Sequence, residues 1–236
     1  MNLILLEEED CRGASSAVLR GRRFTHVQNV LRVSVGDRVR VGILGGRMGR
    51  ATVTALDDAS VCLDYALDED PPAKLPLTVL LALPRPKVLR RVFRTLSELG
   101  IARAVILNSY RVEKSFWQTP WLESSAIRRS LCEGLEQARD TVLPEVHLEP
   151  LFKPFVEDRL PELAGGTKRF VGHPAAEAVC ENVGQAPTTL AIGPEGGFIP
   201  YEVEKLAEAG FQAVHLGPRI LRVETALPFL TAKLFG

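Results

Sequence analysis

Three stretches of this chain combine residue types that could do chemistry. Gly193-Pro194-Glu195-Gly196-Gly197 sets three glycines and a proline around one acid, directly after the apolar run Leu190–Ile192. Glycines there let backbone approach a ligand closely, with free N–H groups turned toward it. Leu216-Gly217-Pro218-Arg219-Ile220-Leu221-Arg222-Val223-Glu224-Thr225-Ala226 carries two arginines and a glutamate where a strand should pass into a helix. Polar groups at such a position are more often site residues than core. Gly172-His173-Pro174-Ala175 follows a strand ending at Val171 and is, by itself, an ordinary turn with a histidine. No GxGxxG or GxxxxGK[ST] string occurs, which excludes the common nucleotide-binding loops.

The elements around these strings follow from hydrophobic rhythm. Apolar runs at 77–83, 104–107, 146–148, 169–172, 189–193 and 213–217 read as buried strands. Helical stretches lie between most of them, near 87–99, 122–139, 155–163, 200–209 and 224–234, with Pro228 expected in the first turn of the last. This alternation predicts an α/β fold with a mostly parallel sheet and helices on both faces. Ligands of such sheets bind in loops beyond the carboxyl ends of the strands. Before residue 73 the pattern is different. Short alternating runs at 3–6, 39–43, 51–56 and 60–65, broken by Gly and Asp turns and one helix near 24–31, predict a small β-barrel or compact β-domain. Asp68-Glu69-Asp70-Pro71-Pro72 reads as the linker, giving domains 1–72 and 73–236.

Charge is balanced, with 29 bases and 29 acids, but it is unevenly distributed. Residues 11–50 hold nine arginines against Asp37, whereas 51–73 hold six acids and no base. On the helix near 87–99, Val88, Leu89, Val92, Phe93, Leu96 and Leu99 form an apolar stripe, and Lys87, Arg90, Arg91 and Arg94 occupy the other side. Together with Arg85, and with Arg22, Arg23 and Arg32 in the first domain, these cations are candidate contacts to a phosphate backbone. For any one arginine taken alone, a solvated surface charge is the reading to prefer. Composition, with 46% hydrophobic and 25% charged residues, is that of a folded globular chain. No apolar run approaches the ~18 residues a membrane span needs. MNLILLEEED lacks the basic start of a signal peptide. Four scattered cysteines without CxxC argue against a zinc site or a disulfide framework. The expectation is a soluble cytoplasmic protein with no bound metal.

The strings IGPEGG (192–197) and LGPRILRVETA (216–226), together with GHP (172–174), resemble the three cofactor loops of the RsmE family. That family comprises 16S rRNA uridine-N3 methyltransferases of the SPOUT superfamily. His26–Arg32 followed by Val35-Gly36-Asp37 is similar to its N-terminal PUA-like RNA-binding domain, and Ser97–Gly100 and Glu136-Gln137 resemble further catalytic-domain pieces. The resemblance implies a trefoil-knotted catalytic domain that binds S-adenosylmethionine, acting on the small ribosomal subunit as a homodimer whose site is completed across the interface. It implies a cofactor site from Gly172, His173, Pro174, Ile192, Gly193, Pro194, Glu195, Gly196, Gly197, Leu216, Gly217, Ile220, Leu221, Arg222, Thr225 and Ala226. Glu195 or Glu224 would organise loss of the uridine N3 proton, and Arg222, or else Arg219, would stabilise charge on the uracil oxygens. The rival role for Arg222 and Glu224 is an ion pair that shapes their own loop. Two other functions fit the same residues: a SPOUT methyltransferase acting at another RNA site, and a non-catalytic RNA-binding assembly factor.

Overall fold

The computed structural model describes residues 2–236 without the side chains of His26, Val30 and Leu31, so the His26–Arg32 string lies partly outside the described residues. Two compact units form, Met1–Ala73 with Cys132–Leu143, and Lys74–Leu131 with Pro144–Gly236.

The first unit holds β1 (Ile4–Leu6), β2 (Ser16–Arg20), α1 (Gly21–His26), a π-helical turn over Val27–Leu31, β3 (Arg38–Ile43), β4 (Met48–Leu56) and β5 (Ser60–Glu69). They make one five-stranded sheet in the order β1-β3-β4-β5-β2. Only the β1–β3 pair is parallel. Period-two alternation turns Ala51, Val53, Val61, Leu63 and Tyr65 inward, where they meet Leu6, Leu19, Phe24 and Val41. The β4–β5 turn is closed by Asp57, whose carboxylate accepts from the amides of Ala59 and Ser60 at 2.8 and 2.7 Å and from the Ser60 hydroxyl at 2.8 Å. Those bonds, the Ala59 amide first, hold its carboxyl below the usual range. Gly49 in β4 admits no side chain, since a Cβ there would collide with the Ala66 carbonyl oxygen.

Two features of this unit differ from the sequence reading. Strand β2 lies where the hydrophobic rhythm predicts no strand, and Asp68-Glu69, read as linker, belongs to β5. The acidic run therefore lies beside the basic one. Arg40 pairs with Glu69, and Arg47 Nε lies 2.9 Å from Asp70. Two of the nine arginines are thereby paired with the acidic run.

The returning segment Cys132–Leu143 fills the remaining face. Cys132 and Leu135 pack with Leu3, Leu5 and Met48. Amides of Asn2 and Leu3 donate to the Glu136 carbonyl at 2.9 and 3.0 Å, and the Thr141 carbonyl accepts from Gly45 at 2.8 Å. The Glu136 side chain is buried, 3.8 Å from Arg22. Burial outweighs Arg22 and Arg23 and pushes its carboxyl up to about 7.

The second unit is a seven-stranded sheet, ordered β10-β12-β9-β11-β6-β7-β8, in which every described pair is parallel. From the end of the first sheet onward the elements are β6 (Leu75–Ala82), α2 (Pro86–Glu98), β7 (Ile101–Leu107), α3 (Ser124–Ala138), β8 (Glu145–Glu149), α4 (Phe152–Pro154), α5 (Leu160–Leu163), β9 (Lys168–Gly172), β10 (Ala178–Val179), β11 (Thr188–Ile192), α6 (Pro200–Glu208), β12 (Gln212–His215) and α7 (Val223–Phe235). Central β11 is buried along its whole length, as a strand covered on both faces must be. Helix α2 opens on Pro86, whose missing N–H costs nothing at the first position, and buries Leu89, Val92, Phe93 and Leu96. The stretch expected as one helix over 155–163 is a π-helical turn over Phe155–Arg159 that runs into α5, with α4 directly before it. Pro228 corrects a second expectation. It lies inside α7, five residues past its start, where it has no N–H to donate to the Glu224 carbonyl. Among the described residues, no helix is long and apolar enough to cross a membrane.

Glu136 gives this fold a pH dependence. The unfolded carboxyl ionises near its ordinary value of 4.5, the folded one near 7. Between those values the native state binds more protons than the unfolded state, so stability falls as pH rises. Urea unfolding should give a lower midpoint at pH 8 than at pH 5, and Glu136→Gln should reduce that difference. An equal difference in the variant would show that Glu136 is not its source.

Candidate functional site

Parallel register brings the three strings together. Gly172 pairs with Ile192 and with Val214, so β9, β11 and β12 end at one level. Their following loops emerge side by side on one edge of the sheet, and the loops after β6 and β7 join them, because Ile192 also pairs with Leu81 and Leu81 with Ile106. These loops enclose a cavity of about 320 Å³. It is lined by Gly172, His173 and Pro174, by Ile192–Phe198, and by Val214, His215, Leu216, Gly217, Arg219, Ile220 and Leu221. Val223, Ala226 and Leu230 of α7 and Arg111 from the β7 loop complete the wall. A mainly apolar concavity with few polar groups is the usual form of a small-molecule site.

Local geometry explains why the glycines are there. A Cβ on Gly193 would fall 2.9 Å from the Phe198 nitrogen. Gly197 has φ of +72° and donates its N–H to the Pro194 carbonyl at 2.7 Å, closing the turn. Gly217 has φ of +109°, and its N–H donates to Nδ1 of His215 at 2.9 Å. The Ala175 amide donates to Nδ1 of His173 at 3.2 Å. Glu195 is exposed, and one of its carboxylate oxygens accepts from the Arg85 amide at 3.1 Å. Arg222 is the residue before α7, and its carbonyl accepts from the amides of Thr225 and Ala226 at 2.9 and 2.8 Å.

Fourteen of the sixteen residues expected to hold a cofactor line the cavity, and Arg222 and Thr225 are absent from its wall. Arg219 is on the wall as well, whereas Glu224 is not. Arg222 and Glu224 form no ion pair with each other among the described residues. The candidate phosphate contacts separate into two sets. Arg22, Arg32, Arg85, Lys87 and Arg91 are exposed. Arg23 is instead 14% exposed, with Nη2 donating to Asp10 at 2.8 Å. Arg90 lies 5.3 Å from the Trp121 ring, and Arg94 is half-buried. Among the described residues, no group of three His, Cys, Asp or Glu side chains could hold a metal ion.

Two contributors lie outside the sequence expectations. Arg111 reaches from the β7 loop to donate to the Gly196 carbonyl. Glu202 of α6, only 2% exposed, holds that loop in place. Its carboxylate accepts from the Ser109 hydroxyl at 3.1 Å, the Tyr110 amide at 2.8 Å and the Ile199 amide at 3.0 Å. One buried acid thus ties the β7 loop to the glycine-rich loop. The position of Ser109-Tyr110-Arg111 just past a buried strand is a signal for the first; nothing in the sequence points to Glu202.

Residues 71–234 match the family model of the RNA methyltransferase domain, and residues 19–64 that of the RNA methyltransferase PUA domain. The chain belongs to the ribosomal RNA small subunit methyltransferase E family. It is 30% identical over 233 residues to the member from Treponema pallidum, covering 96% of this chain and 87% of that one. It is also 30% identical to the Synechocystis member, over 90% of this chain and 70% of the relative. The crystal structure of the Neisseria gonorrhoeae enzyme bound to S-adenosyl methionine superposes with a TM-score of 0.76 at 22% identity, over 98% and 96% of the two chains, and shares the fold. The three strings that this family resemblance rests on are the loops that meet at the cavity.

Replacing Glu202 with Ala strands a hydroxyl and two amides that it now satisfies. The expected loss is about 3 kcal/mol. It should appear as a lower urea midpoint at unchanged m-value. A midpoint equal to wild type would show that water replaces the carboxylate.

Proposed function

We propose that this protein transfers a methyl group from S-adenosylmethionine to N3 of a uridine in 16S rRNA of the small ribosomal subunit. The observation that carries this reading is the meeting of Gly172–Pro174, Ile192–Gly197 and Leu216–Leu221 around one cavity in a chain of this family. The residues fit the donor. Val214, Leu216, Ile220, Leu221 and Leu230 offer an apolar wall to an adenine, and the glycines let backbone approach its edge closely. Gly193 keeps that cradle open, since any side chain would collide with its own loop.

When bound, S-adenosylmethionine supplies a methyl group already activated as a sulfonium. The protein's tasks are then to align N3 with it and to help the N3 proton leave. Glu195 sits at the cavity wall, its carboxylate oriented by the Arg85 amide, and is our choice to organise that proton loss. Arg219, which lines the cavity, is better situated than Arg222 to stabilise charge on the uracil oxygens. Arg222 and Glu224 enter this reading through a homodimer, in which a second copy completes the site. Ile220 at 81% and Phe229 at 42% exposure leave apolar surface near the cavity for such a copy to cover. A trefoil-knotted path of the three loops and a cytoplasmic location belong to the same reading.

RNA would be gripped by the exposed cations, Arg22 and Arg32 on the first unit and Arg85, Lys87 and Arg91 on the second. Removing one phosphate-binding cation lowers the salt dependence of binding by about one counterion. Double replacement of Lys87 and Arg91 by Ala should therefore weaken RNA binding and flatten its plot against salt, with cofactor affinity unchanged.

Calorimetry with S-adenosylmethionine and mass mapping of nucleosides in 16S rRNA methylated in vitro test the whole reading. Glu195→Ala should bind the cofactor and show methyl transfer reduced at least about a hundredfold. Wild-type protein that binds no S-adenosylmethionine, or that methylates another nucleoside, would overturn it. Full activity of Glu195→Ala would remove only that residue from the mechanism.

A further inference from the structure

The β7 loop holds an exposed aromatic ring on an immobilised backbone. Tyr110 is 80% exposed, yet its amide donates to buried Glu202 at 2.8 Å. Ser109 before it is 2% exposed and bound to the same carboxylate, and Arg111 after it donates to Gly196 at the cavity wall. Nearby, Nε1 of Trp117 donates to Oδ1 of Asn108 at 3.0 Å, and the Val112 amide closes on the Ser109 carbonyl at 3.0 Å. The residues on either side of Tyr110 are tied down, and its ring is in solvent.

A large ring on a fixed backbone has few torsions to lose on binding, which suits it to be a contact surface. Packing does not explain its placement, because so little of the residue is buried. Its immediate surroundings select the ligand. Arg111 adjoins it on the cavity wall, Arg85 is exposed and meets Glu195 of that wall through its amide, and Lys87 is exposed in the first turn of α2. An aromatic face beside several cations is the arrangement that holds single-stranded nucleic acid, the ring stacking a base and the cations facing phosphates.

We propose that Tyr110 is the stacking platform for an unpaired RNA base at the mouth of the cavity. This rests on the methyl-transfer reading above and adds to it the form of the substrate: the strand must be unstacked where it meets the enzyme. Glu202 acts through Tyr110 and Arg111 as a positioning residue, because its carboxylate fixes the backbone on which both stand.

The test measures KM for small-subunit RNA, cofactor affinity by calorimetry and oligomeric state for Tyr110→Ala, Tyr110→Leu, Tyr110→Phe and Tyr110→Trp. Tyr110→Ala should raise KM for RNA about tenfold, the effect of removing one stacked base, with cofactor affinity unchanged. Phe and Trp should recover most of that effect and Leu little of it, because Leu restores bulk without a π face. An unchanged KM for Tyr110→Ala, or recovery by Leu as complete as by Phe, would overturn the proposal. So would a change in oligomeric state with Ala, which would make the ring a contact between protein copies. Wild-type protein that transfers no methyl group to RNA would instead bring down the functional reading itself.

Discussion

The site depends on hydrogen-bonded register between three parallel strands. Because Gly172, Ile192 and Val214 lie at one level, the loops that follow cannot avoid one another, although they are separated by roughly forty residues of sequence at most. A slip of one residue in β11 would turn its side chains to opposite faces and move the glycine-rich loop along the sheet. Burial guards against that. All five residues of β11 are inside the fold, so any other register would bury different side chains against β6 and β9.

Strand register brings the loops close but does not fix their conformation. Three devices do that. Glycines at 193, 197 and 217 allow backbone paths that a side chain would block or strain. Histidine ring nitrogens at 173 and 215 accept amides from their own turns. Glu202 joins the β7 loop to the glycine-rich loop, and a buried carboxylate with three donors is a strong tie because leaving any of those donors unpaired is costly. The cavity wall is thereby largely formed before a ligand arrives, which lowers the ordering cost of binding.

Charge is handled differently in the two units. In the first, the basic and acidic runs face each other across strands, and Arg23, Arg40 and Arg47 each meet an acid. Counting charge along the chain overstates the free positive field for that reason. In the second unit the cations at 85, 87 and 91 remain in solvent, and the Arg85 amide bonds Glu195 at the cavity wall. An anionic polymer would be met by these groups rather than by the whole of the Arg-rich segment.

Hydrophobic period and turn chemistry by themselves determined a good deal. Runs such as Leu77–Leu83 and Leu190–Ile192 had to be buried strands, the stripe from Leu89 to Leu96 had to be a packed helix, and glycine-rich strings after strands had to be close-approach loops. Such features are local, set by residues within a few positions of one another. What only the tertiary structure decided is non-local: the return of Cys132–Leu143 to the first sheet, the pairing of Arg40 with Glu69, and the burial of Glu136. The choice of Arg219 over Arg222 for the cavity wall was also decided there, since α7 begins at Val223 and uses the Arg222 carbonyl to start its ladder. Glu202 is the clearest instance. On its helix it reads as one more surface acid, and it becomes the tie of the site because folding brings Ser109 and Tyr110, roughly ninety residues away, onto its carboxylate.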